Sequence, residues 1–433
     1  KIVGSLVFLV FAALTFNSCE EDYTNPGAVT EDQVLNSPDG LIALGVGVQR
    51  RYSVGRQSPA YTRPTAAGFT TQSLRLINPG NVSENDVSLG YDELDADNAI
   101  VNNLWSQSLI IRDEAQSVLD NLDIIPTAST AAGLQAYVSI FYALANETLY
   151  LFFEQAPTET AQDAAFKDRT ALLSDNVTVL QAAAAALASN APSGEFLGRI
   201  PGAIDLGNTV QALLARNHLL LADYPAAISA ADAVDRSATS LLQYDDITPN
   251  PIAFVSILTN NVYQPLDLTL GLPADLQPQG NDQRLPFYFE DLMPDMQDFR
   301  AAGFYNANGA AIPIYWPGEM DLIIAEANAR NNQIPAAIDA LNEVLTKLPG
   351  DDPLGVGAAL DPYSGAQTQD AVLDAIYTNR ALEMMFSGFR LEDSRRFNRP
   401  GPLDANPERN RNFYPYPNSE RDSNPNTPPN PDI

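Results

Sequence analysis

The chain contains one cysteine (Cys19) and one histidine (His218) in 433 residues, and the scarcity of these two residues excludes several kinds of site. Zinc sites built from cysteine and histidine need several such ligands, and a catalytic triad or cysteine–histidine pair needs a histidine beside its nucleophile. The chain has 24 basic and 54 acidic residues, which gives a formal net charge of −30. A polyanion gains nothing from phosphate contacts, so nucleic acid is excluded as a partner of the chain as a whole.

The amino-terminal residues predict export. Residues 2–16 form an apolar run, which is too short to span a bilayer but has the length of a signal-peptide core. Asn17, Ser18 and Cys19 follow the run, and a small residue before the only cysteine resembles a bacterial lipobox. We therefore expect a signal peptide over 1–18, a lipid on Cys19 and an acidic tether over 19–37. The alternative is a buried cysteine beside an apolar first helix.

The rest of the chain predicts a large helical body. Hydrophobic residues make up 45% of the sequence, which is ample for a packed core. Apolar residues at helical spacing predict long helices over 100–126, 131–153 and 172–188. Residues 52–99 are rich in Gly, Pro, Asn, Ser and Thr without a sustained period, which predicts an irregular insertion.

One internal repeat indicates the kind of helical scaffold. Residues 214–234 recur as 324–344, and each copy reads as a helix, a polar turn and a helix opened by Pro225 or Pro335. Such units resemble tetratricopeptide helix hairpins, which we expect over 203–243 and 319–348. Because the copies are 110 residues apart, we do not expect a continuous solenoid.

Two further segments have irregular composition. Residues 244–315, between the hairpins, are rich in proline and aromatics and predict loops with short strands. Residues 400–433 are rich in proline, but Phe413, Tyr414 and Tyr416 favour a strap packed on the body over a disordered tail.

Four segments together resemble the RagB/SusD family, the surface lipoproteins that cap TonB-dependent nutrient transporters. They are the lipobox, the Leu104-Trp105 pair at a helix start, the LIIAEA helix at 322–327, and the carboxyl-terminal motifs at 380–396 and 415–425. The two carboxyl-terminal motifs, at 380–396 and 415–425, resemble the family patterns RR.EL.fEG.R..DL.R and PIP..E...NP. Ser387 stands where the family has a Glu, and Trp316 stands where it has an Arg ahead of Glu319, which puts one buried ion pair in doubt.

The resemblance implies an all-α protein in which 19–433 form a single SusD-like domain, with a tetratricopeptide-like scaffold and irregular loop-rich insertions. It also implies a function. The protein would be anchored in the outer membrane by lipid, capture a nutrient that is most often a glycan, and deliver it to a SusC-like TonB-dependent transporter. Two alternatives remain open, a surface glycan hydrolase and a tetratricopeptide-type protein-binding scaffold without a transporter.

Candidate ligand-binding residues are aromatics outside the helical stripes, because flat ring faces flanked by amides and carboxylates bind sugars. Tyr61 and Phe69 in the first insertion, and Tyr263 and Tyr288 in the second, are the candidates. The alternative for each is packing in the core or a loop.

The charged motifs are predicted to be structural, and no catalytic residue, metal site or cofactor is expected. Arg380 lies one helical turn from Glu383, and Arg390 lies one turn from Asp393, which predicts ion pairs. Charge-paired carboxylates keep low pKa values and make poor general acids. His218 reads as a packed helix residue. The acidic run at 92–98 lacks the glycine and distal glutamate of an EF-hand loop and reads as a solvated turn.

Overall fold

The computed structural model describes residues 31–258, 261–293 and 298–433. This part of the chain is mostly helical, so the predicted all-α class is confirmed. The predicted signal peptide and Cys19 lie outside the described residues. The helices are α1 (Glu31–Leu35), α2 (Pro38–Ser53), α3 (Pro59–Thr70), α4 (Val82–Leu89), α5 (Ala99–Asp120), α6 (Ala128–Phe152), α7 (Arg169–Ser189), α8 (Gly194–Leu197), α9 (Leu206–Leu220), α10 (Tyr224–Asp232), α11 (Arg284–Tyr288), α12 (Pro317–Arg330), α13 (Ile334–Thr346), α14 (Gln369–Glu383), α15 (Arg390–Arg396) and α16 (Asn418–Ser423).

The scaffold is a series of helices that pack on one another in this order: α6 on α7, α7 on α9, α9 on α10, α10 on α12, and α12 on α13. The two copies of the repeat form the hairpins α9–α10 and α12–α13, as predicted. Because α10 packs directly on α12, the hairpins are neighbours in space although 110 residues separate them in sequence. Two adjacent hairpins do not by themselves make a continuous solenoid, so this contact does not contradict that expectation.

Local sequence explains where several of these helices begin. Asp205 and Asp223 cap α9 and α10 by accepting hydrogen bonds from the backbone N–H groups of Asn208 and Ala226. Pro225 occupies the second position of α10, where its missing N–H breaks no helical hydrogen bond. The polar turn and the proline together set the hairpin, which is why the repeat was readable from the sequence.

Residues 52–99 are not the irregular insertion that their composition predicts, because they contain α3 and α4. All twelve residues of α3 are buried, so the helix has no polar face and shows no amphipathic period. Pro59 starts this helix, and Pro64 lies inside it. Burial on every side compensates for the poor helix propensity of proline and glycine.

The described chain contains four short antiparallel strand pairs, two of which connect distant segments. Strand β1 (Leu74–Leu76) pairs with β5 (Tyr263–Pro265), which joins segment 52–99 to segment 244–315. Leu76 lies opposite Tyr263. The remaining pairs are β2 with β3, β4 with β8, and β6 with β7. The strands are β1 (Leu74–Leu76), β2 (Gln155–Pro157), β3 (Phe166–Asp168), β4 (Leu241–Leu242), β5 (Tyr263–Pro265), β6 (Phe289–Met293), β7 (Asp298–Ala301) and β8 (Ile312–Pro313).

The Pro-rich carboxyl-terminal segment lies along the helical body. The Tyr414 hydroxyl is 2.6 Å from the Thr70 hydroxyl, and the Tyr414 backbone N–H donates to Phe152 O. The Tyr416 ring packs edge-on against Trp105, whose indole N–H donates to Glu420 Oε2 at 3.0 Å. These contacts tie the segment to α3, α5 and α6.

Among the described residues, α7 is the one helix long and apolar enough to cross a membrane by length and composition. Its leucines Leu172, Leu173 and Leu180 are fully buried in the protein core. The side of α7 that carries these leucines packs on α6 and α9.

Candidate ligand-binding cleft

A polar cleft of about 560 Å³ lies over α14, between the loop at 275–282 and the loop at 360–366. Its volume falls within the range of small-molecule sites. The helix contributes Asp374, Thr378 and Asn379 to the lining. The loops contribute carboxylates, amides, a hydroxyl and one aromatic ring: Asp275, Gln277, Gln279, Asp282, Asp361, Tyr363 and Ser364.

The first loop is held on α14 by one buried guanidinium. Arg284 is fully buried and donates to both carboxylate oxygens of Asp282, to Asn379 Oδ1 at 2.7 Å and to Glu383 Oε2 at 3.1 Å. The Thr378 hydroxyl also donates to Leu276 O at 2.9 Å. Breaking such a buried charge network costs several kcal/mol, so the floor of the cleft is rigid.

The second loop places the only aromatic ring in the cleft lining. The Tyr363 backbone N–H donates to Asn342 Oδ1 at 2.7 Å, and the Tyr363 hydroxyl donates to Ala366 O at 2.9 Å. Both ends of this half-buried residue are therefore fixed, while its ring lines the cleft. Such a pre-positioned ring can pack on a sugar face without a large loss of side-chain entropy.

The cleft is negatively charged. Four aspartates line it, and its one cation, Arg284, is already paired with Asp282 and Glu383. Burial raises the pKa of the Asp374 carboxyl, Arg399 opposes that shift, and the neighbouring Asp275 adds to it. Carboxylates and amides in this arrangement accept hydrogen bonds from hydroxyl groups, whereas an anionic ligand meets repulsion.

The four aromatic residues predicted from the sequence to bind ligand are buried instead. Tyr61, Tyr263 and Tyr288 are 0% exposed and Phe69 is 1% exposed. Their polar atoms have partners inside the protein, because the Tyr61 hydroxyl donates to Glu84 and the Tyr288 hydroxyl donates to Glu383 O. Their assignment as ligand contacts is therefore wrong for this structure, in which they fill the space between the insertions and the scaffold.

The missed residue is Tyr363, which lies outside both insertions, between α13 and α14. A signal for it was present in the sequence. The segment Asp361-Pro362-Tyr363-Ser364-Gly365 places an aromatic among turn-forming residues, which indicates an exposed loop.

The carboxyl-terminal charged motif forms buried ion pairs, but with partners other than those predicted. Glu383 pairs with Arg284 and Lys347 instead of Arg380. Arg380 pairs with Asp393 at 3.0 Å. The predicted pair of Arg390 with Asp393 is absent among the described contacts, and the nearest carboxylate to Arg390 is Glu408 at 3.7 Å. The predicted pairs are local, whereas the real ones join separate helices and loops.

The other predicted polar sites show no ligand geometry. His218 is buried on α9 and contacts Asp223 at 3.2 Å, consistent with a packed helix residue. In the acidic run at 92–98, the Asp95 carboxylate accepts the Asp97 backbone N–H as in an ordinary turn. Within the described residues, no group of three or more His, Cys, Asp or Glu side chains is placed to hold a metal ion.

The described residues form a tetratricopeptide-like helical scaffold with a polar cleft over α14, and comparisons with known proteins show what this chain is similar to. Residues 262–432 match the family model described as SusD family. This match supports the RagB/SusD assignment over the part of the chain that contains the carboxyl-terminal motifs. No curated protein matches the sequence.

Solved structures match along nearly the whole chain. A SusD superfamily protein from Bacteroides fragilis aligns with a TM-score of 0.67 at 14% identity, covering 90% of this chain and 98% of its own. A SusD-like carbohydrate binding protein, also from Bacteroides fragilis, aligns with a TM-score of 0.64 at 15% identity, covering 91% and 99%. A protein described as a laminarin binding SusD-like protein aligns with a TM-score of 0.64 at 17% identity, covering 93% and 100%. At these identities the likeness shows a common fold.

Proposed function

We propose that the protein captures neutral glycans in the cleft over α14 and is not an enzyme. The observation that carries the proposal is the cleft itself, which combines a fixed aromatic ring, several hydroxyl-binding groups and a negative charge. Two of the matching structures are described as carbohydrate-binding or laminarin-binding, which supports the same class of ligand. Such a site favours uncharged, hydroxyl-rich molecules.

Calorimetric titration with a panel of neutral oligosaccharides tests the proposal. We expect at least one to bind, and Tyr363→Ala to weaken that binding by about tenfold, because removing a sugar-stacking ring costs at least about 1 kcal/mol. Tyr224→Ala is the matched control, since Tyr224 is a partly exposed tyrosine at the start of α10 and does not line the cleft. Equal losses of glycan affinity in both variants, or no loss in either, would show that the cleft is not the glycan-binding site.

We further propose that the captured glycan is delivered to a SusC-like TonB-dependent outer-membrane transporter. The support is the SusD-family match and the motif resemblance over the carboxyl-terminal part of the chain. Gentle extraction from native membranes should recover the protein with a β-barrel partner. Migration as a monomer without such a partner would contradict delivery to a transporter but would not affect the proposal of glycan capture. Co-purification of a peptide ligand with that monomer would favour the protein-binding scaffold.

The proposed location is the outer membrane, through a lipid on Cys19. The support is the apolar run at 2–16 followed by the only cysteine of the chain. Several acyl chains anchor a protein stably, whereas one binds only marginally. Cys19→Ala should release the protein into the soluble fraction or leave its signal uncut. A variant that still carries lipid and stays in the membrane would show that the anchor lies elsewhere.

One observation favours the hydrolase alternative, namely the raised pKa of Asp374 beside Asp275 in the cleft. A glycosidase needs one protonated carboxyl group and one ionised carboxylate on either side of the scissile bond. Incubation of the wild-type protein with each bound glycan should leave the glycan intact. Turnover that is lost in Asp374→Asn, without loss of binding, would replace the capture proposal with the hydrolase.

A further inference from the structure

The backbone of the loop at 360–366, which carries the aromatic ring of the cleft, is fastened to helix α13. The Leu360 backbone N–H donates to Leu345 O at 2.8 Å. The Tyr363 backbone N–H donates to Asn342 Oδ1 at 2.7 Å. Both acceptors lie on α13, which packs on α12 and α14. The loop cannot leave the helix without losing one of these bonds, so the freedom that remains belongs to the Tyr363 side chain.

The Tyr363 hydroxyl folds back over its own loop, and Gly365 makes room for it. The hydroxyl donates to Ala366 O at 2.9 Å. A Cβ atom added at Gly365 would be 2.5 Å from the hydroxyl oxygen and 2.7 Å from Cζ of the same ring. Both distances are well below van der Waals contact, so a side chain at position 365 and the phenol end of Tyr363 exclude each other.

We propose that Gly365 is a positioning residue that holds the Tyr363 ring in the cleft lining, and this proposal rests on the glycan-binding role proposed for the cleft. The backbone of Gly365 lies outside the left-handed region, so its conformation does not require glycine. A side chain at position 365 would disturb the ring instead, because the three atoms nearest to its Cβ all belong to Tyr363. Since the hydroxyl proton is donated to Ala366 O, the ring meets a sugar through its apolar surface.

A double-mutant cycle tests the proposal by calorimetric titration with the neutral oligosaccharide of the panel that the wild type binds most tightly. We expect Gly365→Ala to lower that affinity by about threefold to tenfold, because a displaced ring no longer packs on the sugar. In the Tyr363→Ala background, Gly365→Ala should cause no further loss, since the ring that it displaces is absent. Gly280→Ala is the matched control in the facing loop, where an added Cβ meets no atom within 4 Å.

A second measurement follows the ring without any glycan. The protein is labelled with 3-fluorotyrosine, and among its 17 tyrosines the ¹⁹F resonance of Tyr363 is identified by its loss in Tyr363→Phe. That resonance should shift in Gly365→Ala and keep its position in Gly280→Ala, because only the first substitution places an atom against the ring.

Three results would overturn this proposal while leaving glycan capture in the cleft intact. They are wild-type affinity in Gly365→Ala, an unmoved Tyr363 resonance in that variant, and an equal loss from Gly365→Ala with and without the Tyr363 ring. The last would show that Gly365 acts through the loop backbone. If no oligosaccharide binds, or if Tyr363→Ala binds as the wild type does, both this proposal and glycan capture in the cleft are wrong.

Discussion

Arg216 Nε donates to Glu319 Oε1 at 2.7 Å, which joins α9 to the first turn of α12 across 103 residues of sequence. Both side chains are buried, and Arg216 also donates to Glu147 on α6 at 3.1 Å. The sequence put a buried ion pair at Glu319 in doubt, because Trp316 precedes this helix where an arginine was expected from the resemblance. Arg216 supplies Glu319 with a buried cation from another helix.

Removing Arg216 should strongly destabilise the protein, because Glu147 and Glu319 would lose a buried cation that they share. We expect Arg216→Ala to lower the free energy of unfolding by about 3–5 kcal/mol. Arg51→Ala is the control, since Arg51 pairs with Glu114 between partly exposed side chains and should cost about 1 kcal/mol or less. Urea unfolding of both variants measures the difference, and similar losses would show that Arg216 has no special role.

Acid should destabilise the fold through two buried carboxylates. Burial alone raises the pKa of Glu326, but Arg396, Arg380 and Arg330 overcome it and hold that pKa at about 2. Glu392 likewise has a pKa of about 2, because Arg395 and Arg169 overcome its burial. Since both values are below the unfolded value of 4.5, each ionised group stabilises the fold above that pH. This stabilisation, on the order of 3 kcal/mol each, is lost as the pH falls from about 4.5 towards 2.

The variant Glu392→Gln separates this effect from the general titration of surface acids. It should start less stable at neutral pH, and its free energy of unfolding should fall less steeply between about pH 5 and pH 3. Denaturant unfolding across that range measures both slopes. Identical slopes in wild type and variant would show that Arg395 and Arg169 do not keep Glu392 ionised below pH 4.5.

Gly388 should tolerate no side chain. Its φ of +86° lies in the left-handed region, and an added Cβ would be 2.4 Å from Arg63 Cγ. We expect Gly388→Ala to lower the free energy of unfolding by about 1–3 kcal/mol, from backbone strain and displacement of Arg63. Gly350→Ala is the control, because an added Cβ there meets no atom within 4 Å. A thermal melt in which both variants match the wild type would contradict this role.

The sequence predicted elements whose signals are local. Apolar periodicity located α5, α6 and α7, although it extended α5 six residues beyond Asp120, and the proline-started repeat located both hairpins. Apolar periodicity did not reveal α3, because a helix buried on all sides has no periodic pattern to detect. The packing of α10 on α12 was also missed, since an intervening insertion of about seventy residues hides a contact that forms only in the folded chain.

The cleft was not predictable in the same way. Its first loop is held on α14 by the contact of Arg284 with Glu383, which are 99 residues apart. The sequence candidates Tyr61 and Tyr263 share the aromatic character of a sugar site, but composition does not distinguish a buried ring from an exposed one. Tyr363 does line the cleft, and only the fold shows that its loop faces loop 275–282.

The charge of the cleft predicts a preference between related ligands. A neutral glycan that binds should keep its affinity when the salt concentration rises, because its binding does not depend on charge neutralisation. The sulfated derivative of the same glycan should bind more weakly, since four aspartates line the cleft. Calorimetry at low and high ionic strength measures both effects. Tighter binding of the sulfated form at low salt would contradict the assignment of this cleft.

A crystal structure of the protein with the tightest-binding neutral oligosaccharide of the panel tests the central claim most directly. The account predicts that the sugar lies over α14, between loops 275–282 and 360–366, with a ring packed against Tyr363 and hydroxyl groups bonded to the cleft aspartates and amides. A sugar bound on any other face of the molecule, with this cleft holding only water, would contradict the claim.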